Sequence, residues 1–488
     1  MVSGESSARR WLAALLLAAA VVLVAPWRPT DPDVLANLAV GRLIAEQRSV
    51  PATDPLTFAA PGRRWSNPEW LSDLLWYGAY HFGGDAGLLA LKLSLLVGAW
   101  LLTLRLAERR GAAASYAAPL LLVVLLGAGL RLTERNDIHA YWLVPLCGLV
   151  LKRAERRRAW IAALVPLAIL WANLHSSFVL GWGLVLAALV QAIVDRARRD
   201  VALLGVLLVA HPLLALVSPQ GAHNCDQLLD HVRGAAIYRE LIVEWQPALR
   251  AHPLAQLPLH LLALGGLLCF LPRDNRRRVG ALVVVLVGVA LGYVSQRFVP
   301  LAGLLIVPPL AANVTRWAGT RVSHRFWRGA GVALSLVAVG LLAPVIVAAR
   351  TAGAPHVLLR PDAPRAAARW LRAVPAGTRL FAPFGAGPWL LWEARRVRLY
   401  IDPRNTAGAS TLQRYAAELL PRPARFEAEA RRLEIGLALV DRVDPRFAPL
   451  GAHLEASAEW RRVHLDGRFA LYERAASARA APARPARP

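Results

Sequence analysis

The chain has 488 residues, 56% of them hydrophobic and 18% charged, with a mean hydropathy of +0.40. A cytosolic enzyme carries more charge and lacks long apolar runs, so that class is excluded together with disordered and fibrous chains. Its 57 basic against 32 acidic residues give a net charge of +25, and every basic residue except Lys92 and Lys152 is an arginine.

The first apolar run, 11–24, follows Arg9 and Arg10. Its small residues would suit a cleaved signal peptide, but the polar segment behind it needs an anchor, so a retained span is expected. Ten further runs follow at 87–106, 115–132, 138–151, 159–174, 177–194, 201–217, 254–271, 279–295, 299–314 and 330–349. Counted alternately, the inner connections hold Arg105, Arg109 and Arg110, then 152–158, then Arg196, Arg198 and Arg199, then 273–278, then Arg316, Arg321, Arg325 and Arg328. With Arg9 and Arg10 these make 21 basic residues on one side, whereas the outer turns at 132–138, 174–177 and 296–298 hold Arg135 and Arg297. That asymmetry is the positive-inside pattern. It predicts eleven spans with the N-terminus inside, and it accounts for the basic excess without nucleic acid. The least regular junction is 173–177, where Asn173, His175, Ser176 and Ser177 must break a continuous apolar stretch. His211 and His260 lie inside spans, where packing hydrogen bonds between helices are the expected role. Lys92, near the outer end of its span, can snorkel. Cys147, Cys225 and Cys269 have no metal or disulfide spacing.

This topology leaves 27–86, 218–253 and the tail on the outer face. Domain boundaries follow: a multi-span domain over 1–349 with the large outer loop 27–86, a periplasmic α/β domain over 350–474, and a disordered Ala/Arg/Pro end at 475–488. In the loop, Asp31 and Asp33 precede a segment whose Val34, Leu35, Leu38, Leu43 and Ile44 share a helical face. That predicts an amphipathic helix on the outer membrane surface. A second acidic cluster surrounds Glu69, flanked by Trp65, Trp70, Trp76 and Tyr77. The two aspartates can be helix caps, and the aromatics can be an interfacial belt or stack on sugars.

In the tail, 379–383, 396–402 and 435–440 read as strands, 409–420 and 425–433 as helices, and 460–473 as a hairpin turning at Asp466-Gly467. Gly385-Ala386-Gly387 lacks the third glycine of a dinucleotide fingerprint, and Pro388 suits the first position of a helix. Asp402-Pro403-Arg404 reads as a structural ion pair or, less simply, as an acceptor-binding edge.

The run Asp31-Pro32-Asp33, Gly41, Pro51, Asp54-Pro55, Trp65 and Glu69-Trp70-Leu71 resembles the first outer loop of bacterial GT-C superfamily membrane glycosyltransferases. The protein mannosyltransferase-like (family 39-like) branch is the most similar. The segments 166–178, Ser218-Pro219-Gln220-Gly221, Glu244-Trp245-Gln246-Pro247 and Arg297-Phe298-Val299-Pro300 resemble it too, as do 384–392 and 400–404 in the tail. The resemblance implies a polytopic helical GT-C fold and transfer of a sugar from a polyprenyl-phosphate donor, at the membrane's outer face, to a glycan, lipid or protein acceptor. Such a transfer needs a carboxylate to take the acceptor's proton and cationic partners for the leaving phosphate. The candidate base is Asp33, or Asp31 in another register, and Glu69 would orient the acceptor. Alternatively the two aspartates hold a divalent cation, with Glu69 completing its shell. Arg135, Arg297 and His175 are the candidate phosphate partners. Plainer roles are open to two of them: an interfacial arginine for Arg297, a satisfied backbone carbonyl for His175. The rival classes are a lipid-linked substrate transporter or flippase, and a non-catalytic envelope scaffold.

Overall fold

A computed structural model describes residues 7–128, 131–251, 253–321 and 356–475, with the isolated positions 337, 340 and 347. The chain divides into two compact units. The first comprises Met1–Thr30, Ala79–Asn224 and Arg239–Ala354; the second comprises Asp31–Gly78, Cys225–Tyr238 and Pro355–Pro488.

In chain order the helices are α1 (Ser7–Val24), α2 (Asp33–Gln47), α3 (Trp70–Arg109), α4 (Ala114–Ala128), α5 (Ile138–Ala154), α6 (Leu164–Leu174), α7 (Val179–Val194) and α8 (Arg198–Leu214). They continue with α9 (Asp226–Arg233), α10 (Ala235–Leu241), α11 (Pro253–Leu268), α12 (Val279–Val294) and α13 (Val299–Arg321). Each of the first ten expected apolar runs coincides with a helix. The eleventh, 330–349, falls outside the described residues except at three isolated positions, and the expected disordered end also lies outside them. Among the described residues, four helical segments are long and apolar enough to cross a membrane: Ser7–Val24, Trp70–Arg109, Ser176–Val194 and Gln296–Ala318. Shorter apolar helices run over Ala114–Ala128, Arg158–Leu174, Leu257–Leu268 and Val279–Val294. Leu12, Leu15, Val206, Val209, Leu261 and Leu264 point outward from the first unit. Water would penalise that apolar surface at roughly 25 cal/mol per Å², whereas acyl chains do not, so this is a membrane protein.

Three local features shape the helical unit. Gly84 interrupts α3 with φ 55° and ψ −142°, a conformation open to glycine because it has no Cβ. Between α6 and α7 the chain breaks at His175, in extended conformation, and resumes through a 3₁₀ turn, Ser176–Phe178. The carbonyls freed at such helix ends need donors. Asn173 Nδ2 supplies Ile169 O and Val217 O, both at 2.8 Å, and Asn224 Nδ2 supplies Ala172 O at 2.9 Å and Ala215 O at 3.1 Å. The two intraspan histidines make interhelical hydrogen bonds, His211 Nε2 to Phe178 O at 3.4 Å and His260 Nδ1 to the Tyr293 hydroxyl at 2.7 Å.

One expectation is corrected. Lys92 does not snorkel: it is fully buried, with Nζ 2.5 Å from Glu134 Oε1 and 2.5 Å from Pro26 O. A carboxylate from the α4–α5 connection compensates the ammonium inside the protein.

Connections expected on the inner side also meet one another. Arg109 lies within electrostatic reach of Arg105, Arg153 and Arg156, and Arg110 and Arg278 both sense Glu155. Arg158 Nε binds Asp200 Oδ1 at 2.5 Å. The α3–α4, α5–α6, α7–α8 and α11–α12 connections therefore share one end of the helical unit.

The second unit is built on a sheet of β1 (Thr378–Phe381), β2 (Val397–Leu399), β3 (Leu437–Asp441), β4 (Trp460–Leu465) and β5 (Phe469–Arg474) in the order β2-β1-β3-β5-β4. β1 pairs parallel with β2 and β3, and β5 antiparallel with β3 and β4. All five residues of central β3 are buried, matching the apolar run Leu437 to Val440. The hairpin turns where expected: Asp466 Oδ1 accepts the Arg468 and Phe469 N–H groups at 2.9 and 2.6 Å. Around the sheet lie α14 (Arg365–Leu371), α15 (Gly387–Glu393, with Pro388 in its first turn), α16 (Ala409–Arg414), α17 (Pro423–Arg432) and α18 (Ala448–Ala456).

The loop after α1 belongs to this unit. Residues 56–58 run alongside β2: Leu399 N donates to Leu56 O at 2.9 Å and Phe58 N to Leu399 O at 3.0 Å. Helix α2 is a second correction. Rather than laying one face on a membrane surface, it buries Ala36 and Ala39 in the core with Leu390, Leu391, Leu399 and Leu439. Small residues at 36 and 39 allow that approach. Gly41 allows another, since a Cβ there would come within 2.1 Å of Asp73 O and 2.6 Å of Tyr77 Cβ.

Candidate active site

In the helical unit, the three turns expected on the outer side converge. Between α4 and α5, Arg131 pairs with both Asp137 and Glu244. Arg135 engages the same Glu244 through both terminal nitrogens, Nη1 to Oε2 at 2.7 Å and Nη2 to Oε1 at 3.2 Å. Glu244 arrives on the loop between α10 and α11 and is held by its backbone: Ser295 Oγ donates to Glu244 O at 2.8 Å, and Gln296 N to Gln246 O at 3.0 Å. That tie brings in the α12–α13 turn, whose Arg297 lies over the Trp245 ring with Cζ 4.8 Å from its centre. Asp137 lies within electrostatic reach of Arg131, Arg297, Arg135 and His175, which joins the α6–α7 turn to the group.

Three guanidinium groups thus face two carboxylates, leaving a positive surplus in a half-buried setting. Burial would raise the Asp137 carboxyl, but Arg131, Arg297 and Arg135 outweigh it and hold it at about 2. Glu244 follows the same balance, burial pushing it up and Arg131, Arg135 and Arg297 bringing it below the ordinary range. Both stay ionised at neutral pH and order the arginines. Donor capacity remains: Arg131 Nε, Arg297 Nε and the Tyr141 hydroxyl are buried without a hydrogen-bond partner. Buried orphan donors beside surplus positive charge suit an anion.

The Asp137 value carries a prediction. A carboxylate depressed from 3.8 to about 2 contributes stability that is present above pH 4 and lost as pH falls towards 2. The contribution is about 2 kcal/mol. Unfolding measured against pH should show wild type losing its advantage over Asp137→Asn between pH 4 and 2; an advantage unchanged across that window would refute the pairing.

Of the expected residues, Arg135, Arg297 and His175 are brought together. His175 is also a cap, its Nδ1 accepting the Ser177 N–H at 3.0 Å. Sequence reasoning missed Arg131 and Asp137; Glu244 appeared there only within a motif. Acidic residues placed beside arginines in the turns expected on the outer side were the available signal.

The acidic candidates lie in the second unit. Asp31 Oδ1 accepts the Asp33 N–H at 3.0 Å, a turn that starts α2, and Asp31 sits within reach of Arg360. Asp33 is the first residue of α2, where the helix dipole favours a carboxylate. Glu69 stands ahead of α3, where Asn67 Oδ1 accepts its N–H at 3.1 Å and Asn67 Nδ2 donates to Asp73 at 2.9 Å. Among the described residues, no group of three or more His, Cys, Asp or Glu gathers to hold a metal ion, so Asp31, Asp33 and Glu69 do not form a three-carboxylate site.

Nearby in the chain, Asp54 has a structural role. Arg404, 10% exposed, bridges Asp402 (Nη2 to Oδ2, 2.6 Å) and Asp54 (Nη2 to Oδ2, 3.0 Å). Thr406 Oγ1, Thr57 Oγ1 and Leu56 N also donate to Asp54, at 2.6, 2.8 and 2.8 Å. Burial raises the Asp54 carboxyl, and Arg404 with these donors more than offsets it. Asp402 is pushed up by burial. The expected Asp402–Arg404 pair is thus one side of a triad that fastens 54–57 beside β2.

No protein-family profile matches the chain, and no curated protein matches it in sequence. Solved structures do. An oligosaccharyltransferase of Archaeoglobus fulgidus tethered with an acceptor peptide matches with a TM-score of 0.64 at 13% identity, over 89% of this chain and 69% of that one. ArnT from Cupriavidus metallidurans bound to undecaprenyl phosphate matches at 0.51 and 14%, over 96% and 98%. The arabinofuranosyltransferase AftD from Mycobacteria matches at 0.54 and 17%, over 96% of this chain and 40% of that one. The chain thus shares its fold with these three proteins.

Proposed function

We propose that this protein is a glycosyltransferase of the inner membrane. It would take a sugar from a polyprenyl-phosphate donor and place it on an acceptor at the outer face, with eleven spans and the α/β unit in the periplasm. The observation that carries the reading is the half-buried cluster of Arg131, Arg135 and Arg297 with its unpartnered donors. An anion drawn there enters next to apolar helices, as a phosphate attached to a lipid must. ArnT, which shares the fold, was solved with undecaprenyl phosphate bound, and the donor class proposed here has that chemistry.

Arg131, Arg135 and Arg297, with His175 beside them, take the charge that grows on the leaving phosphate as the sugar C1 becomes oxocarbenium-like. The acceptor's proton goes to a carboxylate, for which Asp33 is assigned, with Asp31 holding the turn before it and Glu69 orienting the acceptor. Asp31 and Asp33 suit a divalent cation only as two of its ligands, the others being phosphate and water oxygens. A non-catalytic scaffold has less need of surplus half-buried arginine whose own donors are left unpartnered.

Membranes containing the protein, given a panel of polyprenyl-phosphate sugars with and without chelator, should transfer one of them to envelope material. Arg297→Gln should lower kcat/KM about ten- to a hundredfold, in line with the loss of one charge-assisted hydrogen bond. Absence of transfer from every donor, with a GT-C enzyme active alongside, would overturn the enzyme reading. Retention of full activity by Arg297→Gln would remove the arginine cluster from it.

A further inference from the structure

The α/β unit holds a second cationic concentration, separate from the arginines of the helical unit. A surface cavity of about 350 Å³ is lined by Arg372, Trp392, Glu393, Arg395 and Arg396. Its aromatic floor is flanked by cations: Arg395 lies 5.8 Å from the Trp392 ring centre, and Arg42, from α2, lies 4.5 Å from it. Arg42 is 7% exposed, and its Nη1 has no hydrogen-bond partner. The local acids do not balance these groups. Glu393 pairs with Arg372, and Glu46 lies within reach of Arg42, so four guanidinium groups meet two carboxylates. Burial, with Arg395 beside it, pulls Arg42 below its ordinary value, the mark of a cation lacking full compensation.

We infer that the cavity at Trp392 binds the anionic group of an acidic saccharide, with Arg395 and Arg396 contacting the charge and Arg42 supporting it from within. Guanidinium forks match carboxylate and phosphate oxygens in pairs, and an indole provides the apolar surface a sugar ring needs. The helix that carries Arg42 begins at Asp33, nine residues earlier. The two positions are about 14 Å apart along the axis, further than one sugar ring and within reach of a short glycan. Resting on the reaction proposed above, the cavity names its acceptor class: an oligosaccharide with a carboxylate or phosphate group away from the hydroxyl that reacts.

Binding is testable without turnover. The full-length protein in detergent is titrated calorimetrically with glucose 6-phosphate, glucuronate and glucose. The two anions should bind and glucose should not, and Arg395→Gln/Arg396→Gln, which alters only exposed side chains, should weaken the anions at least tenfold. Trp392→Phe, which keeps an aromatic ring, should retain binding. Three results would each overturn the inference: equal affinity for glucose, no binding of either anion, or binding that survives Arg395→Gln/Arg396→Gln and disappears in Arg135→Gln. The transfer assay separates the two readings. Binding as described with no transfer from any donor would leave this site standing and the enzyme reading refuted. Transfer whose KM for acidic acceptors ignores Arg395→Gln/Arg396→Gln would do the reverse.

Discussion

Asp33→Asn is expected to lower sugar transfer by about a hundred- to ten-thousandfold, the contribution of a positioned general base, while leaving the protein folded. The substitution is chosen to separate chemistry from capping. Asn keeps the volume of Asp and remains acceptable at a helix start, so losing the charge should cost less than about 1 kcal/mol of stability. Asp31→Asn is the companion. Its Oδ1 can still accept the Asp33 N–H now held at 3.0 Å, so it should leave both fold and transfer near wild type. Transfer per folded protein, with unfolding midpoints beside it, decides among three outcomes. Loss at Asp33 alone supports the assignment. Loss at Asp31 alone moves the base two residues back, ahead of the helix, and loss at neither moves attention to Glu69. A scaffold or flippase would be indifferent to both changes in an assay of its own activity.

The helical skeleton was legible because it is written in long-range composition: apolar runs mark the helices, and arginine clusters mark the connections that share one end of the helical unit. Alternate counting put Arg135, His175 and Arg297 on one side, and the structure joins them around Asp137. The strands of the tail were legible from their apolar runs, and the hairpin from Asp466-Gly467. The missed elements, α14 and α18, are short helices of 7 and 9 residues that do not complete an unmistakable apolar stripe.

What the sequence withheld was partnership. Periodicity gave α2 an apolar face but could not say whether lipid or protein covers it; Ala36 and Ala39 proved to face Leu390 and Leu391. Arg131 sat at the end of an apolar run and gave no hint that Asp137 and Glu244 would converge on it. The acids matter as much as the arginines, because without them three like charges would repel rather than share a site.

The same point governs the second large effect, at Lys92. Both Lys92 and Glu134 have fully buried side chains, Nζ and Oε1 are 2.5 Å apart, and Glu134 Oε2 has no hydrogen-bond partner. Removing the ammonium alone leaves a carboxylate inside the protein with neither water nor a cation. Lys92→Met should therefore lower unfolding stability in detergent by about 3–5 kcal/mol, whereas Lys92→Met/Glu134→Leu should recover most of that loss, since replacing both members of a buried pair is often near neutral. The contrast follows from desolvation, and a snorkelling lysine would give neither result. A loss below about 1 kcal/mol in Lys92→Met, or a double variant as unstable as the single, would refute the buried pair. Glu134 also sits in the turn that presents Arg131, Arg135 and Asp137, so even a folded Lys92→Met protein should bind the donor phosphate more weakly. The double variant, stable but with that turn no longer tied to α3, separates the two effects: recovered stability with impaired transfer would assign Lys92 and Glu134 the positioning of the arginine cluster.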